Sequence, residues 1–248
     1  MSNKKGSHVG MIISFVIFVT FIIFLYTIVR PVVKVGQDKK TIADYLVVKI
    51  VENVSSDFNS TSVEIWDKPI TQSCVKLTGF FVLVVKNGIA QKTIVRDEDQ
   101  IKRDSYTDSS ADLIIFRENQ NNYFFKIYSS SEYNPLITCP LSVCPDSSCH
   151  TVSQNNYKIA VIKYNKYPFK NNIDFLMTAY KNNYESLKES LNIPPGTEFG
   201  FGFTESNGIR ADVGEAPESA DVYAEEIPIQ YADDKANILS GFINIKVW

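Results

Sequence analysis

The stretch Val9–Val29, VGMIISFVIFVTFIIFLYTIV, carries no charged residue. As a helix rising roughly 1.5 Å per residue it measures about 31 Å, the thickness of the hydrocarbon core of a bilayer. The apolar core of a secretory signal peptide is shorter, about 7–15 residues, and ends at a small-residue cleavage site. Leu25-Tyr-Thr-Ile-Val-Arg-Pro31 offers no such site. A core helix of a soluble protein with this composition would need protein on every side, because it has no polar face. The reading is a transmembrane helix over 7–30 with the lipid bilayer as its partner. It follows a basic cytoplasmic leader at 1–6 and precedes a juxtamembrane break at 31–40, where Pro31 and the polar run Gly36-Gln-Asp-Lys-Lys40 interrupt the pattern.

Residues 41–248 have ordinary polarity, long enough for one domain with a sizeable core. The chain's formal net charge is −3 and its lysines are scattered, so there is no footprint for nucleic acid. Charge near the membrane does not settle sidedness. Lys4 and Lys5 precede the apolar run and Arg30, Lys34, Lys39 and Lys40 follow it, but long domains translocate largely regardless of charge.

Cysteine usage is more informative. The 4 cysteines are Cys74, Cys139, Cys144 and Cys149, an even set with three packed closely, as in a disulfide-stapled loop outside the cytosol. Of the three possible pairings, the expected one joins Cys74 to Cys139 and Cys144 to Cys149. A zinc site made by three cysteines and His150 is the competing reading, but the equal four-residue gaps lack the close ligand pairs zinc sites use. The sequons at Asn53 and Asn59 are candidate glycosylation sites on an external surface.

The pattern beyond the anchor predicts an α+β domain with one mostly antiparallel sheet and two packed helices. Thr41-Ile-Ala-Asp44 reads as a capping box opening a helix whose face is Ile42, Leu46, Ile50 and Val54. Strands are expected over 63–66, 75–85, 113–116, 123–128 and 157–164, with a charged loop over 96–111. A single amphipathic helix over 172–191, burying Phe175, Leu176 and Leu187 among others, should stop before Pro194-Pro195-Gly196. Phe199, Phe201 and Phe203 alternate with Gly200 and Gly202, giving one aromatic face and one bare face open to close approach. A hairpin is expected from Tyr223–Tyr231 and Gly241–Val247.

Little in the chain suggests catalysis. Only 2 histidines occur, and His150 is a sequence neighbour of Cys149, a poor placement for a nucleophile and its base. The acidic run from Glu215 to Glu226 reads as a solvated edge, and Asp233, Asp234 and Asn237 lack the order of a calcium loop. No phosphate-binding glycine loop occurs. No catalytic activity, cofactor or metal is expected.

The segment Lys4-Lys-Gly-Ser-His-Val-Gly-Met-Ile-Ile-Ser-Phe15 resembles the class III signal peptide of type IV pilin-like proteins, above all those of archaea. In that family a short basic leader ending in glycine precedes a long apolar helix. The resemblance covers about residues 4–30 and implies that a leader peptidase cuts on the cytoplasmic face between Gly6 and Ser7. It also implies that the helix stays with the mature chain and carries an exterior α+β domain, and that subunits associate through it. Ser14 and Thr20 would be small or polar contacts on that helix. Relatives carry Gln first and Glu fifth after the cut, whereas this chain lacks the Gln and has Gly10 where the Glu aligns. Without that carboxylate a neighbour's new amino terminus has no partner in the lipid core, which disfavours a repeating filament unit. The expected function is therefore a non-catalytic, pilin-like surface protein at the cell membrane, as a minor or tip subunit. The alternative is an unprocessed, single-pass ectodomain binding a ligand or partner, and a membrane-tethered hydrolase is the distant third.

Overall fold

In the computed structural model, residues 7–67, 70–84, 92–118, 123–140 and 149–248 are described. Helix α1 runs from Ser7 to Val54 over 48 residues, about 72 Å at the usual rise. The expected break at 31–40 is absent, and no new helix starts at Thr41. Proline removes one N–H from the ladder and tends to bend a helix rather than end it, and strong helical segments continue on both sides. The last three turns bury the stripe Ala43, Leu46, Ile50 and Val54, each 0% exposed. Spacings of three and four place these four on one face, and α1 stops at the Ser55-Ser56 step where strand geometry begins.

Thirteen strands and three further helices follow among the described residues. They are β1 (Ser55–Ile65), β2 (Cys74–Leu77), α2 (Phe80–Val84), β3 (Thr93–Asp97), β4 (Lys102–Arg103), β5 (Ser105–Thr107), β6 (Leu113–Phe116), β7 (Phe124–Ser129) and β8 (Cys149–Val152). The order continues with β9 (Tyr157–Pro168), α3 (Lys170–Asn182), α4 (Tyr184–Ser190), β10 (Phe199–Thr204), β11 (Arg210–Val213), β12 (Tyr223–Ala232) and β13 (Ile238–Val247). The class is α+β as expected, but the strands form three sheets, not one. Their orders are β4-β3-β7-β1-β9, β5-β6-β2-β8 and β11-β10-β13-β12. All ladders are antiparallel except β2 with β8.

Three local expectations are corrected. The apolar run over 75–85 is a strand only to Leu77. Gly79, at a φ of +66°, turns the chain, its N–H donates to Asp112 Oδ1 at 2.7 Å, and Phe80, Phe81 and Val84 then bury one side of α2. The charged segment over 96–111 is not a loop throughout, because it completes β3 and supplies β4 and β5. Asp97 accepts from Ile101 N–H at 2.9 Å and from Arg103 Nε at 2.6 Å, pinning the β3–β4 turn. The helix expected over 172–191 is two helices. Asn183, at φ −153°, interrupts it and its Oδ1 accepts the N–H of Ser186. Phe175 faces solvent, 74% exposed, since it lies off the stripe of Ile173, Leu176 and Met177.

Among the described residues the core has three main parts and a small fourth cluster around Cys74 and Ile114. The first joins the α1 stripe to α3, α4 and the four-stranded sheet of β10–β13, including Phe199, Phe201 and Phe203. The bare face of β10 does accept another backbone: a Cβ on Gly200 would lie 2.6 Å from Gly214 O. The second core lies between the other two sheets, with Val63, Val75, Ile115, Phe125 and Val152. The third joins the two halves, setting Phe58, Tyr128, Tyr133 and Phe169 against Ala232 and Ala236. The Phe58 ring is 5.4 Å from both Tyr128 and Tyr167. Arg96 crosses the same junction, donating through Nη2 to Lys235 O and Asn237 Oδ1.

Truncating Leu46 to alanine is expected to cost about 2–5 kcal/mol in unfolding of the detergent-solubilised chain, whereas Val48→Ala, at a position 53% exposed, should leave the transition within about 0.5 kcal/mol. A pH effect is expected at Glu198. Lys188 Nζ donates to its Oε1 at 2.6 Å and Tyr184 to its Oε2 at 2.5 Å, and these contacts hold the carboxyl below its usual range. A depressed folded-state pKa adds stability above the unfolded value of about 4.3 and loses it as pH falls through the folded one. The side chain is 40% exposed, so the contribution is about 1 kcal/mol or less. The melting temperature of Glu198→Gln should fall below that of the parent at pH 7 and converge with it in acid below about pH 4.

Candidate functional site

Every residue from Gly10 to Thr27 is exposed, over a window of mean hydropathy 2.4 with 0% buried. This helix is long and apolar enough to cross a membrane. The hydroxyls within it are satisfied locally, since Thr20 Oγ1 donates to Val16 O and Thr27 Oγ1 to Phe24 O, which removes the cost of carrying them in an apolar medium. Where α1 meets the domain, Lys39 Nζ donates to Asp221 O at 2.6 Å and to its Oδ2 at 3.0 Å. Tyr45 Oη donates to Leu191 O at 3.1 Å.

The cysteine pairing differs from the expectation. Cys74 is bonded to Cys149, with a Cα–Cα distance of 4.6 Å, because the parallel β2–β8 ladder sets these two residues directly opposite one another. Adjacent-strand registry of this kind is set by the fold and leaves no mark in cysteine spacing. Cys139 is also disulfide-bonded, and its N–H donates to Thr107 O at 2.8 Å beside β5. Cys144 lies outside the described residues. With Cys139 and Cys149 both in disulfides, the metal reading loses two of its three thiolates, and no group of three His, Cys, Asp or Glu side chains suited to a metal occurs among the described residues. His150 Nε2 lies 2.8 Å from Asp67 Oδ2, tying β8 to the end of β1.

The other singled-out positions are dispersed. Gly6 lies outside the described residues and Ser7 opens α1. Asn53 is exposed in the last turn of α1, whereas Asn59 is half-buried in β1 between Ser129 and Tyr164. Asp233 works as a turn residue, accepting from the N–H groups of Lys235 and Asn237.

A cavity of about 260 Å³ was not anticipated. It opens where β3, β4, β5, the segment over 133–137 and Asp234 of the β12–β13 turn meet. Two residues of its wall hold buried hydroxyls without a hydrogen-bond partner, Thr93 Oγ1 and Tyr133 Oη. Burial raises the Tyr133 phenol above its usual range, so it is a neutral donor and acceptor. Cations and carboxylates are balanced there: Lys102, Arg103, Asp104 and Asp234 all belong to its lining, and Arg103 is already held by Asp97 and Glu118. A second cavity, about 510 Å³, is lined by Tyr180, Asp212 and Lys246 among others, but its tyrosine donates to Phe199 O and its aspartate takes Arg210. The first cavity lies partly in the charged segment over 96–111, and no local motif marks Thr93 or Tyr133.

Comparison with protein-family models, with curated proteins and with solved structures finds no match to this chain.

Non-reducing peptide mapping is expected to recover a linked Cys74–Cys149 peptide. By the loop-entropy relation for a sequence separation of 75, the double variant Cys74→Ser/Cys149→Ser should lose about 4.5 kcal/mol of stability. Recovery of Cys74 linked to Cys139 would contradict the registry.

Proposed function

We propose that this chain is a non-catalytic, membrane-anchored surface protein of the type IV pilin-like kind, with its domain outside the cytoplasm. The observation that carries the reading is α1 itself. Its Gly10–Thr27 segment is exposed and apolar while its last turns lie in the core of an antiparallel sheet. A soluble protein does not leave an apolar surface of that extent in water. The helix joined to a sheet domain is also the arrangement implied by the leader-like Lys4–Phe15 segment. The disulfide supports an oxidising, exterior setting for the domain. Gly10 in place of the family's carboxylate favours a minor or terminal position over a repeating one, in partnership with other pilin-like subunits through α1.

A second reading, an unprocessed anchored ectodomain that binds a ligand, is favoured by the cavity between β3, β4, β5 and the segment over 133–137. Intact mass and N-terminal sequencing of the protein from native membranes separate the two. A mature chain starting at Ser7 is the expected result. A chain retaining Met1–Gly6 would overturn the pilin-type reading and leave the anchored ectodomain.

A further inference from the structure

We propose that the open edge of β9 takes the open edge of β12 from a second copy of this chain, so that copies associate head to tail by strand pairing. The contact invokes neither processing of α1 nor packing between helices, so it stands or falls apart from the pilin-like reading.

Length singles out these two strands. Each of the three sheets ends in two edge strands, and most of them are short: β4 has 2 residues, β5 has 3, and β8 and β11 have 4 each. β9 and β12 have 12 and 10 residues, and each ends its sheet with a neighbour on one side only. A long edge presents unpaired backbone N–H and C=O groups to any strand that can approach it. Among the described residues the backbone bridge between the two edges, Phe169 with Ala232, lies at their ends. Lys158–Lys166 and Tyr223–Ile227 lie outside it.

Charge selects the pairing. Tyr157–Pro168 carries Lys158, Lys163 and Lys166 and no acidic residue, while the segment 215–226 carries Glu215, Glu218, Asp221, Glu225 and Glu226 and no basic one. Lysines along an edge repel a second strand of the same kind, which disfavours β9 against β9. An acidic edge turns the same lysines into an attraction. Lys163, Lys166 and Glu226 are exposed and Glu225 is half-buried, and none of these four is in an ion pair among the described residues.

Strand geometry distributes these charges evenly. Residues an odd number of positions apart point to opposite faces, so Lys163 and Lys166 lie on opposite faces of β9, as Glu225 and Glu226 do on β12. Each face of the joined ladder then carries one lysine and one glutamate, the cross-strand combination that stabilises a pair. Val161 and Tyr164, 47% and 58% exposed, add apolar area for the incoming strand to cover. Pro228 has no N–H to donate, which ends the pairing after Ile227. Each contact uses one β9 and one β12 and leaves the other edge of each copy free, so association continues to a ring or an open row.

The test uses the full-length chain in proteoliposomes, as an equal mixture of 14N and 15N protein, with p-benzoylphenylalanine in place of Tyr164. Irradiation should give mixed-isotope dimers in which the probe is joined to the segment 223–227. Lys163→Glu/Lys166→Glu in the probe-bearing chain, or Glu225→Lys/Glu226→Lys in its partner, should each cut the yield about tenfold, and mixing the two reversed chains should restore it. All four side chains lie at the surface or half-buried and outside ion pairs, so melting temperatures should stay level, which separates loss of pairing from loss of fold. Three results would each overturn the proposal: dimers whose probe is joined elsewhere or no mixed-isotope dimers at all, yields unchanged by either charge reversal, or no recovery when the reversed chains are combined.

Discussion

Burial of four residues on one face of α1 is the contact on which the rest of the molecule depends. Ala43, Leu46, Ile50 and Val54 enter the same core as Phe199, Phe201, Phe203, Ile243, Ile245 and Val247. Burying a large aliphatic side chain is worth about 1.5–3 kcal/mol, so this stripe clamps the end of the helix firmly to β12, β13 and α3. Once that end is clamped, helical geometry dictates where the other end goes. The Gly10–Thr27 segment projects with no protein around it and is long and apolar enough to cross a membrane. One packing decision therefore fixes both the folded domain and the exposed apolar helix that leaves it.

The remaining sheets are attached to this frame at few places, which explains where the special features fall. β1 leaves directly from α1 and becomes an interior strand of the five-stranded sheet, between β7 and β9. The Phe169–Ala232 bridge and the Phe58 aromatic cluster then connect that sheet to the β12–β13 hairpin. The β5-β6-β2-β8 sheet has a parallel β2–β8 edge with a covalent cross-link at Cys74 and Cys149. The cavity lies at the seam, where short strands and a turn from another sheet meet and polar groups are left over.

Periodicity made the long, locally determined elements legible. The apolar run of α1 and β6 are legible as unbroken apolar stretches, and the Leu46–Ile50–Val54 stripe, the Phe-Gly alternation of β10 and the terminal hairpin as spacings of two, three or four residues. Features decided by distant partners were not legible. The run over 75–85 has enough β-branched and aromatic residues for a strand throughout, yet Gly79 and the Asp112 carboxylate bend it into α2. The pairing of Cys74 depends on the register of a strand 75 residues away. Thr93 and Tyr133 look like ordinary strand and loop residues, and only the meeting of two sheets makes them a shared wall. Pro31 is the opposite case: a strong local breaker overridden by helical segments on both sides.

The central claim is that α1 places its Gly10–Thr27 segment in lipid. Spin labels placed singly from Ile12 to Leu25 in the full-length chain, reconstituted in bilayers, test it through collision rates with oxygen and with a water-soluble nickel complex. The expected result is high oxygen and low nickel accessibility at every position, greatest near the middle of the segment. Nickel accessibility along the whole segment would contradict a lipid environment, and a helical periodicity with one face shielded from both reagents would place it against protein instead.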